Sequence, residues 1–360
     1  MNIIYLSEVD FDSTISTEDK ISEQINCWRK IGHDVTAISI NTLSLYNLKD
    51  KVSKKHKSIL NRPGKLFTFL NHYYITFSVN GVLTKLKPDI IYSRYLLYTP
   101  FLSNLIKKYP FVFEVNSNDL TEYRAKSKIT YLYNLFTRKL MLANVTGYVC
   151  VTNELLKQFL IFSKPSVCIT NGVSVNGYPF IADTRNAIPK VVFIGSPHSF
   201  WHGIEKIELM AREVKDAEFH IIGIAGKNKN NLKYHDYMPS DKAREFIKTC
   251  DVGISTLSLH EKNMEEACPL KSRQYLAQGI PLIYAYNDPD LHSEEFALQI
   301  PNSETNVHDS LPEIRKFIFH VFGDKKLRLK CRNFAEQHID VSVKESHRID
   351  FLMNILGKQF

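Results

Sequence analysis

The feature that most narrows the fold is a repeated change of hydrophobic period. Short apolar runs of strand character alternate with helical segments along the chain. "NIIYLS" leads into "TEDKISEQINCWRKIG", a helix that Gly32 closes, and then into "HDVTAISI". A long helical region from Phe67 to Lys87 precedes "DIIYSR". "TPFLSNLIKKY" and "PFVFEVN" repeat the pattern, as do "KITYLYNLFTRKLMLANV", "GYVCVT", "NELLKQFLIF" and "SVCITNG". The strand runs are apolar throughout, so both faces must be covered. That predicts an α/β class, with parallel sheets carrying helices on both sides.

A second series of the same kind runs from "KVVFIG" through "AEFHIIG", "LKYHDYM" and "DVGISTL" to "PLIYA". Between the two lies a polar stretch with Asn176, Gly177, Pro179, Asp183 and Asn186. At 360 residues two domains are expected. The predicted organisation is a Rossmann-like domain over 1–173, a linker over 174–188, a second Rossmann-like domain over 189–340 and an amphipathic helix over 341–360. Two doubly wound domains bind ligands in the cleft between them, near the carboxyl ends of the strands.

Composition excludes several classes. No basic segment followed by a long apolar one opens the sequence, so a secretory signal is not expected. No apolar run reaches the roughly 18 residues of a membrane-spanning helix. The six cysteines are scattered without a C-x-x-C, which fits core thiols in a reducing cytosol rather than a zinc site. No G-x-G-x-x-G follows the first strand, and no G-x-S-x-G elbow occurs. "GIAGKN", from Gly223, lacks the P-loop spacing and reads as a strand-end turn.

The net charge of +8 is unevenly spread. From Lys51 to Pro88 there are eight Lys or Arg and no Asp or Glu, beside "LFTFL" and "YYITF". Basic residues next to aromatics suit an anionic membrane surface. Nucleic acid and plain solvent are the competing readings. No nucleic-acid motif is present, so nucleic acid is not expected as a partner.

The segment "PLKSRQYLAQGIPLIYA", from Pro269, carries the chemistry. A short helix there ends at Gly279 and opens with Lys271, Arg273 and Gln274. Cations at a helix N-terminus are unfavourable unless an anion is bound there. Free N–H groups with a nearby Lys make a site for phosphate. Lys271 as a solvated side chain and Arg273 as half of an internal ion pair are the competing readings.

The same segment, in the wider run "EEACPLKSRQYLAQGIPLIYA", resembles the donor-binding segment of family 4 retaining glycosyltransferases of the GT-B fold. It is most similar to a bacterial subgroup with the pattern Leu-Lys-x-Arg-Glu-Tyr-Leu-Ala-x-Gly-x-Pro. "FIGSPHSFWHGIEKI" resembles that subgroup's strand, loop and turn opening the second domain. "ITNGV", "KIGHDVTAI", "DIIYSR" and "FVFEVNSND" resemble family segments of the first domain. The resemblance implies two facing Rossmann-like domains, with acceptor on the first, donor on the second and the last helix crossing back to the first. It implies a metal-independent hexosyl transfer from a nucleoside diphosphate sugar, without a cofactor, to a glycan or lipid-linked hydroxyl. A role in surface polysaccharide synthesis goes with that likeness, and the basic, aromatic segment from Lys51 to Lys87 fits such an acceptor through peripheral contact at the anionic inner face of the membrane, on the cytoplasmic side that the cysteines suggest.

Residue by residue, Glu266 stands where the family's first Glu binds donor-sugar hydroxyls. Gln274 stands where a second Glu binds the ribose; an amide still bonds a diol, but without charge assistance. Ser196, next to Gly195, and His202 occupy the positions of a basic pair. Lys271 is the available substitute, with Arg273 behind it and backbone N–H groups near Pro269 and Leu270. The base would pack near Tyr237 and Met238. Asn116 takes the place of a His that touches the donor sugar. Glu114 is an acceptor-hydroxyl partner or a buried ion pair with Arg94. Catalytic roles fall on Lys271, Glu266 and Asn116, and acceptor binding on Arg94 and Glu114. The alternatives are a nucleotide-sugar epimerase and a non-catalytic sugar-nucleotide-binding protein.

Overall fold

Both series of strands form parallel sheets, one in each of two units. Unit 1 is Met1–Ile169 together with Glu345–Phe360, and unit 2 is Thr170–Lys344. The computed structural model describes residues 1–8, 16–40, 44–46, 65–197 and 199–357. Lys51, Lys54, Lys55, Lys57 and Arg62 of the basic stretch lie outside that set.

The sheet of unit 1 holds β1 (Asn2–Ser7), β2 (Asp34–Ser39), β3 (Ser44–Tyr46), β4 (Ile90–Arg94), β5 (Phe111–Val115), β6 (Gly147–Cys150) and β7 (Ser166–Cys168). Their order is β3-β2-β1-β4-β5-β6-β7, parallel except that β3 runs antiparallel to β2. The sheet of unit 2 holds β8 (Lys190–Ile194), β9 (Glu218–Ile222), β10 (Leu232–His235), β11 (Val252–Ile254), β12 (Leu282–Tyr284) and β13 (Ala297–Gln299). Their order is β10-β9-β8-β11-β12-β13, all parallel. The edge strands β3 and β13 are additions to the expected pattern. Each is three residues long, too short for a periodic signal.

The helices of unit 1 are α1 (Ser16–Lys30), α2 (Lys65–Leu86), α3 (Pro100–Lys108), α4 (Asp119–Lys126), α5 (Lys128–Leu142) and α6 (Asn153–Phe159). Those of unit 2 are α7 (Ile204–Glu213), α8 (Ser240–Ile247), α9 (Leu270–Ala277), α10 (Asn306–Asp309), α11 (Leu311–Val321) and α12 (Lys325–Phe334), and α13 (Val341–Ile355) ends the chain. Local chemistry sets many of the ends. Thr99 caps α3 through the Leu102 N–H at 3.1 Å, with Pro100 as its first residue. Gly279 stops α9 at φ +69°, a conformation that favours glycine.

The segments joining the units belong to unit 2 because they pair with each other. Val173 bridges Asp340, and the Val341 N–H donates to the Val173 carbonyl at 2.9 Å. Along the sequence the first unit gives way to the second between Ile169 and Thr170. From Glu345 onward α13 packs on unit 1. Its Ile349 and Leu352 join a core with Ile3, Tyr5, Trp28 and Tyr92. Gly147 on β6 leaves room for it, since an added Cβ would lie 2.8 Å from Ile355. Among the described residues no helix is long and apolar enough to cross a membrane.

Candidate functional site

In unit 2, β8 delivers Phe193 and Gly195 to the end of the sheet, and α9 brings its first turn alongside. The Lys271 ammonium lies 3.8 Å from the centre of the Phe193 ring and 3.4 Å from His202 Nδ1. Lys271 is half-buried, and no carboxylate among the described residues forms an ion pair with it. Burial therefore pulls its pKa well below the ordinary lysine value. His202 is buried, in a single 3-10 turn over Phe200–His202, and its pKa is lowered to about 3 by burial and by the Lys271 and Lys262 charges. It is a neutral imidazole at ordinary pH. Where Lys271 holds its proton, its ammonium donates to Nδ1 and the ring proton sits on Nε2. That Nε2–H is buried without a partner. It stands over Gly195, where an added Cβ would lie 2.8 Å from it and 2.7 Å from the Phe193 ring.

The N-terminus of α9 adds donors. Its cap residue is Pro269, which offers no side-chain acceptor, so the first-turn N–H groups near Leu270 are not capped by a side chain. The turn is held by its buried residues. The hydroxyls of Ser272, Ser255 and Tyr286 form a closed triangle at 2.7–2.9 Å. The Tyr275 hydroxyl accepts from the Ile194 N–H at 3.0 Å, pinning the end of β8 to the helix. An uncapped helix start, an unpaired Lys and an unpartnered N–H together form a cradle for an anion.

Arg273 is not part of that cradle. Its guanidinium is fully buried and pairs with both oxygens of Asp288 and with Asp290 at 2.6 Å. Its Nε donates to the Asn171 carbonyl at 3.3 Å. The ion-pair reading is the one realised, because the turn after β12 places two carboxylates beneath the helix. Asp288 and Asp290 also have the D-x-D spacing seen in metal-dependent transferases, but both are engaged, Asp290 further by Lys344 at 2.7 Å. A second such spacing, Asp10 and Asp12, lies outside the described residues, as does His198, which stands four positions before His202 in an H-x-x-x-H spacing.

The remaining donor-side candidates are more scattered. Ser196 follows Gly195 and is exposed. Glu266 is half-buried just before α9, with its backbone bridged to Asn287. Gln274 is half-buried on α9 itself. Tyr237 is exposed and Met238 half-buried beyond β10. Among the described residues no hydrogen bond or ring contact joins Tyr237 or Met238 to the Lys271 cluster.

In unit 1, Arg94, Glu114 and Asn116 meet in a cavity of about 200 Å³, also lined by Asp119 and Tyr123. Glu114 is fully buried at its floor. Its carboxylate accepts from Lys20 at 2.6 Å, Tyr92 at 2.5 Å, Gln24 at 3.2 Å and Asn116 at 2.9 Å. These partners hold its pKa well below the ordinary carboxylate value against the opposing effect of burial. Glu114 is thus in the ion-pair state, with Lys20 and not Arg94 as partner. Arg94 makes no ion pair among the described residues. Asn116 accepts from Lys20 at 2.9 Å. Sequence reasoning missed Lys20, Tyr92 and Phe193; only Tyr92 had a signal, the strand face it shares with Glu114 through paired strands.

No family model matches the chain, and no curated protein matches it in sequence. Solved structures match nearly all of it. Sucrose-phosphate synthase from Thermosynechococcus elongatus superposes with a TM-score of 0.76 at 12% identity, covering 99% of this chain and 100% of that one. The Anabaena protein HepE, in complex with UDP and glucose, gives 0.65 at 12% identity over 98% and 100%. The lipopolysaccharide outer core galactosyltransferase WaaB gives 0.67 at 13% identity over 98% and 99%. At such identities the likeness is one of fold. With a parallel sheet in each of two units and a last helix returned to the first, this chain has the GT-B fold of these glycosyltransferases.

Proposed function

We propose that this protein is a retaining glycosyltransferase of the family 4 type. It moves a hexosyl group from a nucleoside diphosphate sugar to a hydroxyl of a glycan or lipid-linked acceptor. The observation that carries this is the cradle of Lys271, His202 and the α9 N-terminus at the end of a GT-B sheet. It suits a diphosphate, whose charge grows as the sugar departs. The anomeric bond to the phosphate oxygen breaks and a bond to the acceptor oxygen forms on the same face. The acceptor's proton passes to the departing phosphate. Lys271, His202 and the helix dipole meet the diphosphate charge, so the reading calls for neither metal nor cofactor. Glu266 binds sugar hydroxyls, Gln274 the ribose, and Tyr237 and Met238 the base.

In unit 1, Arg94 is the cation of the cavity that would meet an acceptor, and Asn116, held by Lys20 and Glu114, keeps a second amide hydrogen for the donor sugar. Glu114 then acts by holding Asn116 and Lys20. Surface polysaccharide synthesis on the cytoplasmic side of a membrane is the setting we assign. HepE is described with UDP and glucose, so UDP-sugars are the first donors to try.

The test is thermal stabilisation by UDP-, GDP- and ADP-sugars. A ligand at 100 times its Kd adds about 2.7 kcal/mol, a shift of several degrees for units of this size. One nucleotide class is expected to stabilise and the others not. No shift with any class would sink the reading. The replaced residues Ser196 and Gln274 favour a second reading, a sugar-nucleotide-binding protein without transfer. It predicts the same shift with no sugar moved to any acceptor.

Donor binding should also take up a proton. Unliganded Lys271 gives up its proton at lower pH than a free lysine, and a bound diphosphate would raise that pKa again. Between the two values binding is coupled to proton uptake, so affinity falls as pH rises through that window. Calorimetry in buffers of different ionisation enthalpy should show it in the wild type and not in Lys271→Ala. Equal apparent enthalpies in all buffers for the wild type would count against it.

A further inference from the structure

Helix α5 carries apolar side chains on its outward side as well as its inward one, where Met141 and Leu142 are fully buried. Its inward side also carries polar groups: Asn134, fully buried, donates to Asp119 at 2.6 Å and accepts from Tyr95 at 2.8 Å, and Arg138 pairs with Asp119 at 2.8 Å. Its outward side carries Ile129, Leu132, Phe136 and Leu140, at helical spacing and 80%, 40%, 76% and 55% exposed. A surface helix normally keeps its outward side polar. Lys128 and Lys139 are exposed on the same helix, which has no acidic residue.

The surface extends to both neighbours. On one flank Tyr133 of α5 meets Tyr73 of α2, hydroxyl to hydroxyl at 2.9 Å. Helix α2, also without an acidic residue, exposes Tyr74, Phe77 and Lys85. On the other flank the Arg138 guanidinium lies 5.8 Å from the rings of Phe159 and Phe162. Ile161, between them in sequence, is 74% exposed. Most of the exposed large apolar side chains among the described residues belong to α2, α5 and the turn that follows α6. An apolar surface this extensive marks a docking site.

We propose that this face docks on an anionic lipid surface, with α5 lying in the plane of the interface. Its apolar stripe would enter the boundary between headgroups and acyl chains, and its lysines would meet lipid phosphates. A second copy of the chain would instead bring like charges together. The proposal rests on the reading above for the acceptor's membrane setting. Vesicle binding is measured apart from nucleotide binding, so either can fail alone.

The experiment is flotation of the full chain with phosphatidylcholine vesicles, with and without phosphatidylglycerol, across a salt series. The wild type should float with the anionic vesicles, less so as salt rises, and hardly with the neutral ones. Ile129→Glu with Phe136→Glu should weaken binding about tenfold or more. Lys128→Glu with Lys139→Glu should weaken it about tenfold and flatten the salt dependence. Leu329→Glu, on an exposed apolar residue of unit 2, should float like the wild type. Unfolding temperatures and UDP-sugar shifts of all variants, read in parallel, should be unchanged. Flotation of both double variants at the wild-type level would overturn the proposal. So would a wild type that ignores vesicles but self-associates in sedimentation, with Ile129→Glu and Phe136→Glu abolishing the association.

Discussion

Lys271→Ala should lower kcat by about 10²- to 10³-fold, the usual cost of removing one preorganised group that stabilises developing charge. The donor-induced thermal shift should fall with it. The unliganded protein should melt no earlier than the wild type. Half-buried over Phe193 without a carboxylate partner, the charged ammonium is disfavoured in the free state. Its depressed pKa means that this penalty is fully present below the folded-state value and fades as pH rises through it. Activity, ligand-induced shift and unliganded melting together separate a ligand-binding Lys from a structural one. A variant that keeps both rate and shift would place the donor site elsewhere.

Arg273→Ala, two residues along the same helix, should have the opposite profile. It leaves Asp288 buried and unpaired and removes one of the two cations on Asp290. Breaking a buried ion pair from one side costs about 3–5 kcal/mol. For a unit of this size that is a fall in melting temperature of about 10 °C. The loss should be present without ligand, and the ligand-induced shift should persist at temperatures where the variant is folded. Near wild-type melting together with lost donor binding would return Arg273 to the ligand set.

The contrast between these two residues shows what could be read from the chain and what could not. The alternation of apolar runs and helices is a local signal, and it carried the sheets, the two series and the position of α9. The unusual cations at the start of α9 were visible as well. Their division of labour was not. It depends on a turn fifteen positions on, where Asp288 and Asp290 come under the helix, and on Phe193 from another strand. Glu114 could be read as a buried ion pair, but its partner Lys20 comes from α1, far away in sequence. The exposed apolar face of α5 was hidden for a related reason. "KITYLYNLFTRKLML" has a helical pattern, and only tertiary contacts decide which side Asn134 and Arg138 face.

The return of α13 to unit 1 has a consequence for how the chain matures on the ribosome. Trp28 is fully buried and donates to Glu345 at 2.7 Å, and Arg348 stands 3.8 Å from Glu114. These contacts join the first and last parts of the sequence. Unit 2 is continuous and has all its strands before residue 345 is made. During synthesis unit 1 must therefore wait, its sheet drawn up but its Trp28 face bare, while the later unit is translated and folds. A nascent chain arrested before Glu345 should be captured by chaperones through that face, and release should follow translation of the last helix.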